Sequence, residues 1–366
     1  MTLADQGFLE LGSMRLEYRM IGPRPDAAPT IVMLHEGLGC VGLWGDFPER
    51  VAAATGAGVF VYSRAGYGHS SPVTLPRPLA FMHEEACHVL PRVLDAIGFR
   101  RGILAGHSDG ASIAAIHAGS IEDHRVRGLV LVAPHFFTED CGIDEIVRVK
   151  DAYATTDLRE KLARWHADVD NAFRGWNDVW LDPDFRRWDI ADALAFIRVP
   201  ILIVQGEDDQ YGSIRQIEVA REECYCPVDV ALMPGVRHAP HREAPDALLR
   251  VIADFANHLF RDHREGEIAT SKPSSADLTQ SAEVRGFDDP VQRFSETNRI
   301  QPVGHSGARP KAAIPESIPR PVIMDSGLAA SRRTGMTREE IRSFHGIVAL
   351  GSVCHEMAAD PLAPPD

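Results

Sequence analysis

What this sequence of 366 residues lacks narrows it first. No apolar run approaches the roughly 18 to 20 residues that would span a bilayer, which argues against a membrane-embedded chain. The opening residues, Met1-Thr2-Leu3-Ala4-Asp5-Gln6, have neither the basic start nor the apolar stretch of a signal peptide. Basic residues are outnumbered, with 38 Lys and Arg against 52 Asp and Glu and a net charge of −14. A chain without a basic excess is not expected to take nucleic acid as its main partner. Six cysteines (Cys40, Cys87, Cys141, Cys224, Cys226, Cys354) are too few and too scattered for a disulfide framework. Cys224-Tyr225-Cys226 has no second pair at zinc-ligand spacing, so the thiols are expected to be reduced and no metal is expected. No internal repeat is visible. The expectation is a soluble, cytoplasmic protein with neither membrane nor nucleic acid as partner.

What is present supports a sizeable core: 45% of residues are apolar and 25% charged. The chain divides near residue 260. Ten of the 25 prolines fall in the 106 residues from 261 to 366, with Ser, Thr and Gly between them. Such a stretch buries too little apolar surface to offset its ordering entropy, so a largely disordered tail is expected. Within it, Thr337-Arg338-Glu339-Glu340 has capping-box spacing, and Ile341, Phe344, Val348 and Val353 follow at helical intervals. A single helix over 338–358 is expected there.

Before residue 260 the pattern is regular. Phe8-Leu9-Glu10-Leu11, Gly12-Ser13 and Met14 to Met20 predict a hairpin. Short apolar runs follow at Thr30–Leu34, Val59–Tyr62, Gly102–Ala105, Leu129–Ala133, Ile201–Val204 and Val228–Leu232, the form of strands buried on both faces. Helical patterns lie between them at Phe47–Thr55, Leu79–Ile97, Ala111–Ala118, Ile214–Glu223 and Ala247–Phe260. This alternation predicts an α/β protein with a doubly wound, mainly parallel sheet. Residues 136–198 break the rhythm. They are helical in composition, hold Trp165, Trp176, Trp180 and Trp188, and are too long for a simple crossover. An inserted cap is expected.

Gly106-His107-Ser108-Asp109-Gly110 follows the strand at 102–105 and opens a helix. In that context G-x-S-x-G predicts a sharp elbow presenting Ser108 as a nucleophile, its small neighbours permitting a strained turn. A serine hydroxyl needs a base, itself oriented by an acid. Gly206-Glu207-Asp208-Asp209-Gln210 places acids after one later strand, and Pro234-Gly235-Val236-Arg237-His238 places a histidine after the next.

These motifs resemble the α/β-hydrolase superfamily, specifically its capped serine hydrolases, over residues from about 8 to 260. The resemblance implies an α/β-hydrolase fold, with 1–135 and 199–260 as core and 136–198 as helical cap. Family members carry the acid in G-x-x-D and the base in G-x-x-H, which matches Asp209 and His238, with Asp208 as the fallback acid. The amide of Asp109 is one expected oxyanion donor. The family's loop after the strand at 30–34 implies Gly37 as the other. Glu36 departs from the family's His-Gly pattern, and two readings stand: a turn residue bonding nearby backbone, or a carboxylate acting on a water or against anionic substrates. Arg64, in the Gly-rich turn after the next strand, is expected to pair with an acid beneath the site. His107, Trp176 and Trp180 are further candidates beside the substrate, although the tryptophans equally suit the cap's own core. His83, His88 and His241 are read as surface residues.

The expected activity is hydrolysis of a carboxylic ester, lactone or thioester of a small acyl substrate through an acyl-enzyme, with no cofactor. The same residues suit hydrolysis of a carbon–carbon bond in an aromatic ring-cleavage product, or acyl transfer. A non-catalytic small-molecule receptor on the same fold is a further alternative.

Overall fold

The computed structural model describes residues 4–270. The helix expected over 338–358 lies outside the described residues, as does the rest of 271–366. Eight strands form one sheet: β1 (Gln6–Leu11), β2 (Met14–Ile21), β3 (Thr30–Leu34), β4 (Gly58–Tyr62), β5 (Gly102–His107), β6 (Val126–Val132), β7 (Ile201–Gly206) and β8 (Val228–Met233). Their order is β1-β2-β4-β3-β5-β6-β7-β8. The β1–β2 hairpin joins antiparallel, and β4, β3, β5, β6, β7 and β8 run parallel.

The burial pattern follows position in the sheet. Every residue of the central β3, β4, β5 and β7 is buried, whereas β2 alternates and the edge strand β8 is mostly half-exposed. Period-2 geometry sends alternate side chains to opposite faces. In β3, Val32 and Leu34 join one apolar core, while Ile31 and Met33 join the other.

Eleven α-helices occur among the described residues. They are α1 (Phe47–Thr55), α2 (Phe81–Glu84), α3 (Leu90–Ala96), α4 (Asp109–Ser120), α5 (Asp140–Thr155), α6 (Leu158–Ala163), α7 (Val169–Trp180), α8 (Ala191–Leu194), α9 (Arg215–Glu223), α10 (Pro240–Glu243) and α11 (Pro245–Thr270). The core beside Ile31 takes Val51 of α1 and Leu248, Ile252, Ala256 and Leu259 of α11. The core beside Val32 takes Leu90 and Val93 of α3, Ile113 of α4 and Ile217 of α9.

Two helices differ from the sequence pattern. The stretch expected as one helix over Leu79–Ile97 contains a wide π-turn at Glu85–Val89 between α2 and α3. Pro91, at the start of α3, has no N–H to give to the preceding turn, which accounts for the break. Helix α11 runs ten residues past Phe260, because no proline interrupts it before Pro273.

Helices α5 to α8 occupy the interval between β6 and β7. Their aromatic residues pack on one another, with ring centroids 5.8 Å apart for Phe173–Trp176, 4.9 Å for Trp180–Phe185 and 5.4 Å for Phe185–Trp188. Hydrogen bonds join this insertion to the loops at the carboxyl ends of the strands. His166 accepts from the Gly68 amide at 2.9 Å and its other ring nitrogen meets the Leu38 carbonyl at 3.0 Å.

Candidate active site

Strand β5 ends at a turn that only particular residues permit. Ser108 adopts φ 55° and ψ −116°, in the positive-φ region that L-residues avoid. A Cβ on Gly106 would stand 2.2 Å from the Gly110 carbonyl carbon, and one on Gly110 would stand 2.1 Å from the Leu34 carbonyl oxygen. The two glycines are therefore sterically required, since the chain folds back upon itself at this point. The turn is pinned by the Ser108 amide donating to the Val132 carbonyl at 2.9 Å. The Ser112 hydroxyl adds a bond to the His135 carbonyl at 2.6 Å.

The loops after β5, β7 and β8 bring three side chains into one hydrogen-bonded chain. Ser108 Oγ lies 2.9 Å from His238 Nε2, and His238 Nδ1 lies 2.7 Å from Asp209 Oδ1. Asp209 Oδ1 also accepts from the Tyr211 amide at 2.9 Å. Burial acts to raise the Asp209 carboxyl, but His238 and the Tyr211 N–H outweigh it and hold it below the usual carboxylate range. A carboxylate so placed fixes the imidazole with Nδ1 protonated and Nε2 free to accept from the serine. Asp208 is exposed, and its amide donates to the Val236 carbonyl at 3.0 Å.

The amides of Asp109 and Gly37 have no acceptor among the described residues, and Asp109 begins α4, where N–H groups lack intrahelical partners. Arg64 is fully buried under the loop after β3. Its guanidinium donates to the His35 carbonyl and, at 3.1 Å, to the Glu36 carbonyl. It also stands 3.8 Å from Asp109 Oδ2, the acid expected beneath the site. Among the described residues, the Asp109 carboxyl has no hydrogen-bond partner on either oxygen. Burial pushes it up to about 7, against the opposing pull of Arg64 and Arg77.

Glu36 is buried, its Oε2 3.5 Å from His107 Nδ1. Burial would raise this carboxyl, but His107, His241 and Arg242 hold it well below the usual range. His241 is not the surface residue expected from the sequence. It lies in α10 and is buried against Trp44 and His107, with ring centroids 5.1 Å and 4.9 Å away. The turn of α10 after Pro240 directs it inward rather than along a solvated face. His83 is half-buried, and His88 is exposed as expected.

Trp176 and Trp180 are both buried, and neither indole N–H has a partner among the described residues. Trp180 packs edge-on to His135 at 5.9 Å, and His135 stacks on His238 at 5.5 Å. His135 was not singled out from the sequence. Its only signal is a histidine three residues past the carboxyl end of a parallel strand, where α/β sheets gather their sites. Burial and the neighbouring His238 push its imidazole down to about 3, so it is neutral.

Among the described residues, no group of His, Cys, Asp and Glu could hold a metal ion. No described helix is long and apolar enough to cross a membrane.

A comparison with curated protein sequences found no significant match. Solved structures share the fold. An enol-lactonase from Burkholderia xenovorans LB400 is 21% identical with TM-score 0.53, over 68% of this chain and 99% of that one. A thermophilic esterase from Thermogutta terrifontis is 16% identical with TM-score 0.54, over 70% of this chain and 100% of that one. A proline iminopeptidase from Mycobacterium smegmatis is 16% identical with TM-score 0.56, over 70% of this chain and 99% of that one. The model of the alpha/beta hydrolase family matches residues 31–251, well over half of the sequence. With that match, the sheet order and the elbow after β5, the chain belongs to the alpha/beta hydrolase family.

Proposed function

We propose that this hydrolase cleaves a carboxylic ester, lactone or thioester of a small acyl substrate through a covalent acyl-enzyme. The observation that carries the proposal is the unbroken chain Ser108 Oγ–His238–Asp209, with the serine held at positive φ. Ser108 attacks the carbonyl while His238 Nε2 takes its proton, and Asp209 stabilises the imidazolium. The tetrahedral oxyanion is received by the amides of Gly37 and Asp109, aided by the N-terminus of α4. His238 returns the proton to the leaving group, and water then attacks the acyl carbon to release the acid. Ser108 and His238 are completely buried. The insertion of α5 to α8 therefore acts as a cap that shifts to admit substrate, with Trp180 and His135 beside the reacting groups.

The test is turnover of short-chain chromogenic esters, lactones and thioesters, with and without a serine-directed phosphonate. Turnover that is abolished by the phosphonate, with the label recovered on Ser108, supports the reading. Turnover that survives Ser108→Ala would overturn it.

A further inference from the structure

Beside the Ser108–His238–Asp209 chain lies a second polar cluster that the chemistry above leaves unused. His107 Nε2 is 2.8 Å from the His238 carbonyl oxygen, and its Nδ1 faces Glu36 Oε2 at 3.5 Å. A carbonyl only accepts, so Nε2 carries a proton. The second contact is at ion-pair distance rather than hydrogen-bonded, and a ring that gives one N–H to a carbonyl while turning its other nitrogen to a carboxylate carries protons on both. Three loops meet here. Glu36 precedes Gly37, His107 precedes Ser108, and the accepting carbonyl belongs to His238 itself.

We propose that Glu36 and His107 form a buried, net-neutral ion pair that braces the oxyanion loop against the backbone of the catalytic histidine. Both are positioning residues: neither touches the reacting atoms, and the pair acts through Gly37 and His238. Its neutrality matters because the His107 and His238 rings are 5.3 Å apart. During turnover His238 becomes an imidazolium, and a lone positive His107 would oppose that charge in a poorly screened interior. The Glu36 carboxylate offsets it.

The other charged groups do not replace this balance. Glu36 also faces His241 and Arg242, and the Arg242 guanidinium is charged in every variant below, so it adds a constant to all of them. His241 is held neutral, its imidazole pushed well below the usual range by burial, His107 and Arg242. Beside His238 stand neutral His135 and the acid Asp209. Asp109 titrates near this range but is common to all the variants below.

The inference rests on Ser108–His238–Asp209 as the catalytic machinery, and the experiment separates the two. The pH dependence of kcat is measured for wild type, His107→Gln, Glu36→Gln and the double variant, with KM and Tm for each. His107→Gln keeps a donor for the His238 carbonyl but removes the positive charge of the pair and leaves the Glu36 carboxylate, so the acidic limb should move up by about half a pH unit or more. Glu36→Gln leaves a lone positive ring, and the limb should move down by a similar amount. The double variant restores neutrality and should return the limb to within about 0.2 units of wild type, with kcat reduced and KM little changed. Should His107→Gln fail to fold, Glu36→Asp replaces it. This variant keeps the charge and should leave the limb at the wild-type position while Glu36→Gln moves it. Limbs that stay fixed in all variants, or single variants that shift in the same direction, would overturn the ion pair while leaving Ser108-dependent turnover intact. Absence of Ser108-dependent turnover in the wild type would instead overturn the functional reading.

Discussion

Two aspartates, one on the loop after β7 and one on the elbow after β5, are buried close to the same serine and have opposite fates. Asp209 has His238 at 2.7 Å and the Tyr211 N–H at 2.9 Å, and its carboxyl stays ionised. Asp109 directly follows Ser108, yet its oxygens have no donor among the described residues, and its carboxyl is pushed up to about 7 by burial. Burial disfavours the charged form in both, so burial alone does not decide. Hydrogen bonds to the charged form do. The lesson is that one residue type, twice within reach of one serine, supplies a fixed anion in one loop and a titrating acid in the other.

The largest effect should come from removing the ionised member. Asp209→Asn should lower kcat by roughly 10⁴-fold through the wrong imidazole tautomer, comparable with Ser108→Ala. Steady-state kinetics on the best ester checks this, and a loss smaller than tenfold would shift the acid role to Asp208. The exposed Asp208→Asn should change kcat by less than about threefold in the same assay.

The titrating member should be read in stability. A carboxyl with its folded value above its unfolded one binds a proton more tightly when folded. Its stabilising contribution is complete below about pH 4 and is lost as pH rises through about 7. Asp109→Asn mimics the neutral form, so its advantage over wild type should grow from pH 4 and reach up to roughly 4 kcal/mol by pH 8. Chemical denaturation at pH 5 and pH 8 measures this. Equal stability differences at the two values would mean that Asp109 is ionised throughout, and the contrast with Asp209 would fail.

The smallest effect concerns His135, stacked on the His238 ring that Asp209 holds. His135→Phe keeps a ring against His238 and Trp180 but removes the ring nitrogens. If those nitrogens meet substrate, kcat/KM should fall about tenfold for substrates with a polar group near the scissile bond, with Tm nearly unchanged. An equal fall for plain alkyl esters would assign the residue to packing instead.

The contrast also separates what the sequence revealed from what it concealed. Strands β3, β4, β5 and β7 are buried on both faces, so their apolar runs were plain. Ser108 and Asp209 follow such runs within a few residues, and His238 follows the half-exposed edge strand β8. The elbow pattern singled out Ser108, while the resemblance to the α/β-hydrolase superfamily was needed to choose Asp209 and His238. The environment of Asp109 was not legible, because it is set by Arg64 and Arg77 from a distant loop and by the lack of any donor. His241 and His135 were concealed for a similar reason. A histidine in a short turn has no periodicity, and only the folded sheet determines whether it faces water or another ring. The link from Glu36 to His107 spans 71 positions and leaves no trace in spacing.

The crowding at Gly106 and Gly110 bears on how this chain can change over evolutionary time. A side chain at either position would collide with backbone about 2 Å away, whether or not Ser108 reacts with anything. Selection for folding alone therefore preserves both glycines, even in a descendant that has abandoned chemistry. The residues free to drift in such a lineage are Asp209 and His238 themselves, on the loops after β7 and β8, whose side chains serve the hydrogen-bonded chain to Ser108 rather than the backbone of the elbow. In a family tree built around this chain, loss of activity should be written in those loops first, with the glycines of the elbow among the last positions to vary.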